Sequence, residues 1–294
     1  MIGLFLGEKK LPIEILNKLK KRKIKYFIID LTKSNKFKKD KNSFFISIGK
    51  FGEILKLIKS KNCKKVIFAG NISKPKISKL KLDLKGIYYF PRIIKASKLG
   101  DAAILKELIK ILDEHKIKVI KLNFFNPELS ISRGNYTKVK PSNSEILDIK
   151  KGINYLSKLN AHNHTQGIVI RKGIIIAKET HSGTQGMLKK LIKARNPGGI
   201  LIKFPKKKQD LRADLPTIGL DTLKDCKKVN LRGIVLKSKQ NIVLDKKMHH
   251  FVDVFFEVFG VHFGRRLGSM LHPKTCLERK MHFSENERFV CTRA

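Results

Sequence analysis

The feature that most constrains this chain is a rhythm in its first 120 residues. Short runs that are apolar throughout alternate with stretches whose apolar residues recur at helical spacing. The runs are 2–6 (IGLFL), 25–30 (KYFIID), 44–48 (FFISI), 65–70 (KVIFAG) and 117–122 (IKVIKL); the amphipathic stretches are 12–22, 51–61 and 101–116. A strand apolar on both sides needs cover on both faces, which is the environment of a parallel sheet flanked by helices. The pattern therefore predicts a Rossmann-like N-terminal α/β domain over 1–130.

A polar stretch, 126–145, interrupts the rhythm and predicts the interdomain link. Beyond it the reading is a mixed α/β domain over 131–247. It comprises a helix over 144–160, a hairpin over 167–179 turning at Arg171–Gly173, a helix over 184–194 and a strand over 198–204. A helix beginning near Pro216 and a strand pair over 233–245 follow. Residues 248–294 differ in composition, with 7 of the 18 Phe and 5 of the 9 His but only 2 Lys. They read either as a foreign, non-native segment or as a helix, FVDVFFEVFGVHFG, docking on the body or a membrane.

Composition limits the function classes. At 41% apolar and a mean hydropathy of −0.23 the chain can fill cores, so a wholly disordered protein is not expected. No run approaches the roughly 20 apolar residues that span a bilayer. The start, MIGLFLGEKKLP, lacks a basic leader and a cleavage site, so no secretory signal is expected. Four scattered cysteines fit a reduced compartment, and Cys63 is expected to pack as a small apolar residue. The net charge is +41, yet 53 of the 65 basic residues are lysines spread over nearly every segment. AT-rich codon usage explains such an excess; an anionic membrane is the next reading. Nucleic acid is not expected, because no base-stacking or helix-turn-helix pattern accompanies the charge.

Three loops follow predicted strands and suit phosphate: one containing Gly7, one containing Gly49, and one with Gly70, Asn71 and Lys74. The sharpest local signal is QDLRADLPTIG, from Gln209 to Gly219. Asp210 and Asp214 stand four residues apart around Arg212, ahead of Thr217. Two readings are open: either Asp caps a helix, or Mg²⁺ joins the carboxylates to a diphosphate. His162, His164 and His181 read as surface residues, and Tyr88-Tyr89-Phe90 either lines an acyl groove or packs.

Together these residues resemble a family. IGKFGEILKLIKSKNCKKVIFAGNISKP (48–75), KLGDAAILKELI (98–109), QGIVIRKGIIIAKETHSGTQGML (166–188) and QDLRADLPTIGLDTL (209–223) are similar to the UDP-2,3-diacylglucosamine pyrophosphatases of the LpxI type, collinearly over 1–247. The resemblance implies a cytosolic hydrolase of lipid A biosynthesis, in transient contact with the inner face of the inner membrane. It implies Mg²⁺-dependent hydrolysis of UDP-2,3-diacylglucosamine to 2,3-diacylglucosamine 1-phosphate and UMP, with Mn²⁺ as a substitute ion. Water would attack the glucosamine-side phosphorus. By the same resemblance Asp214 is the essential carboxylate, Asp210 and Arg212 serve catalysis beside it, and Asp214 and Asp210 hold the metal. Gly7, Gly49, Gly70, Asn71, Lys74, Asp101, Gly183, Thr184, Gln209 and Thr217 face substrate. Family acids are replaced here by Ala102, Ser182 and Gln185. The alternatives are therefore a non-catalytic nucleotide-sugar binder or a degraded copy of the enzyme.

Overall fold

The computed structural model describes residues 1–72, 80–137, 139–160, 165–192, 198–207 and 209–244, and the backbone of 255–259. In the N-terminal part, β1 (Ile2–Leu6), β2 (Tyr26–Asp30), β3 (Ser43–Phe45), β4 (Lys65–Ala69) and β5 (Lys118–Val119) form one parallel sheet in the order β3-β2-β1-β4-β5. Alternate side chains serve opposite faces. Leu4, Leu6, Ile28 and Ile67 join α1 (Leu11–Lys21) through Ile15 and Leu19. Phe5, Phe27, Ile29, Val66 and Phe68 join α2 (Phe51–Ser60), α3 (Leu84–Ser97) and α4 (Asp101–Glu114). The chain winds outward from β1 to β3, then returns to β4. The strand order thus reverses between β1 and β4, where open α/β sheets bind ligands.

The expected α/β class and covered strands are present, with local differences. The third strand ends at Phe45 and the fifth has two residues. Helix α3 is absent from the sequence reading because Gly86 and Pro91 interrupt its pattern. It forms because Asp83 caps its start, Tyr89 is buried, and Arg92 pairs with Glu107 and Glu114 of α4.

The C-terminal part runs β6 (Gly134–Asn135), α5 (Asn143–Lys158), β7 (Gly167–Arg171), β8 (Ile174–Lys178), α6 (Gly183–Ile192), β9 (Ile200–Lys203), β10 (Thr217–Ile218), α7 (Leu220–Lys228), β11 (Gly233–Lys237), β12 (Ile242–Val243) and β13 (Phe255–Phe259). Its main sheet has the order β6-β13-β11-β9-β7-β8 and is mixed, as expected. Helix α5 covers one face through Ile149 and Ile153; α6 and α7 cover the other through Leu188 and Leu223. The β7–β8 hairpin turns on Lys172 (φ 45°) and Gly173 (φ 76°), the two positive-φ positions of a tight right-twisted turn.

Three expectations are corrected. Pro216 does not open a helix: β10 intervenes, and α7 starts at Leu220 after Gly219. Residues 233–245 are not a strand pair, since β11 joins β9 and β13 while β12 joins β10. In the tail, the backbone of 255–259 is a strand parallel to β11, not part of a helix. The rest of 248–294 lies outside the described residues.

Candidate active site

Gly7 and Gly70 end β1 and β4, and their loops are pressed together at the switch point. Glu8 and Asn71 exchange backbone hydrogen bonds of 2.8 and 3.3 Å. A Cβ on Gly7 would stand 2.5 Å from the Asn71 carbonyl oxygen, and Gly70 adopts φ +87° with its own Cβ position 2.6 Å from the Glu8 carbonyl. The glycines here permit close backbone approach. Lys74 lies outside the described residues, as do His162 and His164; His181 is exposed.

Gly49 sits differently. The start of α2 is already capped: the Asp83 carboxylate accepts from Glu53 N–H at 2.9 Å and Gly86 N–H at 2.7 Å. Burial pushes this carboxyl up, but the amides of Gly86, Gly52 and Glu53 overcome it and hold it below the ordinary range. The position expected to take phosphate is filled by a side chain of the protein. Asp30, at the end of β2, is likewise bonded inward, to Thr32 and to Phe37 N–H.

At the end of the C-terminal sheet a polar cluster joins Thr184 to Glu179 and Lys203, two residues that sequence reasoning missed. Lys203 ends β9, Gly167 pairs with it from β7, and the Glu179 N–H bonds the Gly167 carbonyl. Over Gly167, where a Cβ would be 2.9 Å from Glu179 Oε2, the two long side chains meet. Lys203 Nζ donates to Glu179 Oε1 and Oε2 at 3.1 and 3.2 Å and to Thr184 Oγ1 at 2.6 Å; Thr184 Oγ1 donates to Glu179 Oε1 at 3.1 Å. Glu179 and Lys203 are only 8% and 5% exposed. Gly183, at φ +70°, and Thr184 open α6, so the cluster pins that helix's first turn to the sheet. The signal in the sequence is a charged residue closing each of two apolar runs, ILIK and IIIAKE.

The acidic turn bridges the two parts. The Leu122 N–H donates to the Arg212 carbonyl at 3.0 Å. Ala213 packs with the cluster holding Ile109 and Leu112, and Leu215 with that holding Leu4 and Leu6, so Asp214 stands between the two faces of the N-terminal sheet. Asp210 and Arg212 bond each other, Nη2 to Oδ2 at 2.9 Å, with the Arg212 N–H on Oδ1 at 2.9 Å. Burial raises the Asp210 carboxyl, and these bonds outweigh it and hold the group below the usual range. Neither Asp210 nor Asp214 caps a helix among the described elements; 211–213 is a turn.

Asp214 is the perturbed group. Burial pushes its carboxyl above the usual carboxylate range, opposed by the charge of Lys206, a bond from Gln209 and the charge of Lys203, and reinforced by Asp101 at the start of α4. The loop is rigidly held: buried Gln209 donates from Nε2 to the Asp214 carbonyl at 2.8 Å and accepts from Lys206 N–H at 2.8 Å. Asn241, fully buried, accepts from Lys237 N–H at 2.9 Å and donates to the Lys203 and Pro216 carbonyls at 3.1 and 3.5 Å. Thr217 bonds its hydroxyl to the Leu215 carbonyl at 3.1 Å. The structure thus brings Gln209, Asp214, Asp101, Lys203 and, through Lys203, Thr184 into one electrostatic neighbourhood. Gly49 is not in it.

Among the described residues no three His, Cys, Asp or Glu converge as a metal cage. Mg²⁺ does not require one, because it takes one or two carboxylates and completes its shell with waters and substrate phosphates. The charges of Asp214 and Asp101 act on each other, and their carboxylate oxygens are the hard donor type that the ion takes. Asp210 is engaged by Arg212.

The fold and site define a two-part α/β protein whose acidic turn lies where the parts meet, with a perturbed carboxyl that feels the charge of a buried lysine. The model of the LpxI N-terminal domain matches residues 1–129 and that of the LpxI C-terminal domain residues 132–253. The UDP-2,3-diacylglucosamine pyrophosphatase LpxI of Caulobacter vibrioides is 31% identical over 210 residues, covering 69% of this chain and 75% of that protein. The chain belongs to the LpxI family.

Proposed function

We propose that this chain is a pyrophosphatase that hydrolyses UDP-2,3-diacylglucosamine to 2,3-diacylglucosamine 1-phosphate and UMP in lipid A biosynthesis, with Mg²⁺. The supporting observation is joint: the name of the Caulobacter relative, matched across both parts of the chain, and a perturbed Asp214 at their junction. Asp214 and Asp101 would hold the ion, which supplies neutralisation of charge on the diphosphate oxygens. The chain's own residues do the rest. Lys206 sets positive charge against the same oxygens, and Gln209 and Asn241 keep the turn from shifting. The Gly183–Thr184 start of α6, pinned by Lys203 and Glu179, offers backbone N–H groups to an anion. Arg212 holds Asp210 and fixes the turn's shape.

The substrate is lipid-linked, and among the described residues no helix is long and apolar enough to cross a membrane. By the same proposal the enzyme works in the cytoplasm, in transient contact with the inner face of the inner membrane. The test is UMP release from detergent-dispersed UDP-2,3-diacylglucosamine by wild type and Asp214→Asn, with Mg²⁺, with Mn²⁺ and with a chelator. Release by wild type that needs the ion and falls by about a hundredfold or more in Asp214→Asn is expected. Equal release from both proteins overturns the role of Asp214. No release from wild type, with nucleotide-sugar binding retained, converts the reading to a binding protein.

A further inference from the structure

Helix α3 turns one side inward and leaves the other bare. Tyr89 and Ala96 are buried, and Arg92 is held by α4. On the outer side Leu84, Ile87 and Tyr88 are 87%, 58% and 69% exposed, at i, i+3 and i+4, with Pro91 exposed one turn on and Leu99 53% exposed past the helix end. Lys81, Lys85, Lys95 and Lys98 are exposed around them, and no acidic residue occurs from 84 to 100. Lys85 Nζ lies 5.8 Å from the Tyr88 ring centroid, so a cation borders the apolar face directly.

We propose that this face of α3 docks the protein on an anionic lipid bilayer, with Leu84, Ile87 and Tyr88 entering the headgroup boundary and the four lysines meeting lipid phosphates. The proposal rests on the membrane contact argued above and names the element that makes it. Aliphatic residues, an amphipathic aromatic and flanking lysines are the combination that lies in an interface rather than across it. Lysines near an anionic surface act with its potential. A second copy of the chain fits the face poorly, because a two-fold contact sets the lysine rim against itself.

The chain has no tryptophan, so Tyr88→Trp is a sole indole reporter. Its emission shifts to the blue on vesicles of phosphatidylglycerol and phosphatidylcholine and stays put on phosphatidylcholine alone. Leu147→Trp, on the exposed side of α5, does not shift on either. Leu84→Ser with Ile87→Ser weakens co-sedimentation with the anionic vesicles on the order of tenfold, while UMP release from detergent-dispersed substrate is unchanged. The proposal is overturned if wild type sediments with anionic vesicles but the indole emission of the Tyr88→Trp protein is static and the serine pair binds as well. It is also overturned if the serine pair alters oligomeric state by light scattering without altering vesicle binding. A wild type that ignores anionic vesicles removes the membrane contact and this docking role together, and the detergent assay still judges the hydrolytic reading by itself.

Discussion

The Lys203–Glu179 pair is the interaction whose removal the structure quantifies most directly. Both side chains are under a tenth exposed, and they bond each other through both carboxylate oxygens. Glu179→Gln deprives the ammonium of that countercharge and leaves it with the Thr184 hydroxyl; Lys203→Met leaves the carboxylate with the same hydroxyl. Breaking one side of a buried pair costs about 3–5 kcal/mol, whereas replacing both by neutral groups restores most of the loss. For a body of this size each kcal/mol moves the midpoint by about 2–4 °C, so either single substitution is expected to lower the midpoint by roughly 10 °C. The double substitution is expected to cost about 1–2 kcal/mol, a coupling of several kcal/mol against the sum of the singles. Melts followed by far-UV circular dichroism, at low and at high salt, measure the cycle. Buried charges escape screening, so the coupling persists at high salt. Additive losses, or single losses below about 1 kcal/mol, would show that the two charges are solvated and that nothing pins the start of α6.

The same geometry bears on three other residues. Because Asp214 is raised, the folded chain binds a proton that the unfolded chain has released, and stability falls as pH rises through the window above the ordinary carboxylate value. Asp214→Asn is therefore expected to melt above wild type at neutral pH without Mg²⁺, the gain closing as pH is lowered; identical midpoints at every pH refute this. Asp83→Ala removes the acceptor shared by α2 and α3 and is expected to cost about 2 kcal/mol by urea unfolding. Asp83 is lowered, so its contribution is present above the ordinary carboxylate value and lost in acid, where variant and wild type should converge. Asn241→Leu leaves the Lys237 N–H without the acceptor it has in the fold and is expected to cost about 2–4 kcal/mol. Through the lost Pro216 contact it should also lower kcat for UMP release, which a purely local defect would spare.

What is legible in the sequence is what one strand or one helix decides alone. Ile2–Leu6 is apolar at every position because both faces are covered, and that can be read without a partner. Helix α3 is hidden because its stability comes from Asp83 and from α4, not from its own pattern of Gly86 and Pro91. Asp214 can be singled out from its motif, but its perturbation comes first from burial, which only the folded packing creates, and is reinforced by Asp101, 113 positions away. Gly167 is mute in sequence; only the register that sets it between Glu179 and Lys203 gives it a reason. The pairing of β11 and β12 is misleading for the same cause: adjacency in sequence suggests a hairpin, and β10 outcompetes it.

The same non-local wiring explains why the turn carrying Asp214 can be both strained in charge and fixed in place. A half-buried carboxyl whose charge is penalised by burial gains nothing for stability, so the segment needs anchors elsewhere. Ala213 and Leu215 provide them on either side, each inserted in a different apolar cluster of the N-terminal sheet. Gln209 closes the loop between Lys206 and Asp214, and Asn241 ties Pro216 to the ends of β9 and β11. Cost and compensation are thus separated: apolar burial and amide bonds hold the backbone, leaving the one carboxyl free of a stabilising duty. Substitutions at the anchors should then reduce stability and turnover together, whereas substitution at Asp214 should part them, lowering turnover while raising the melting midpoint.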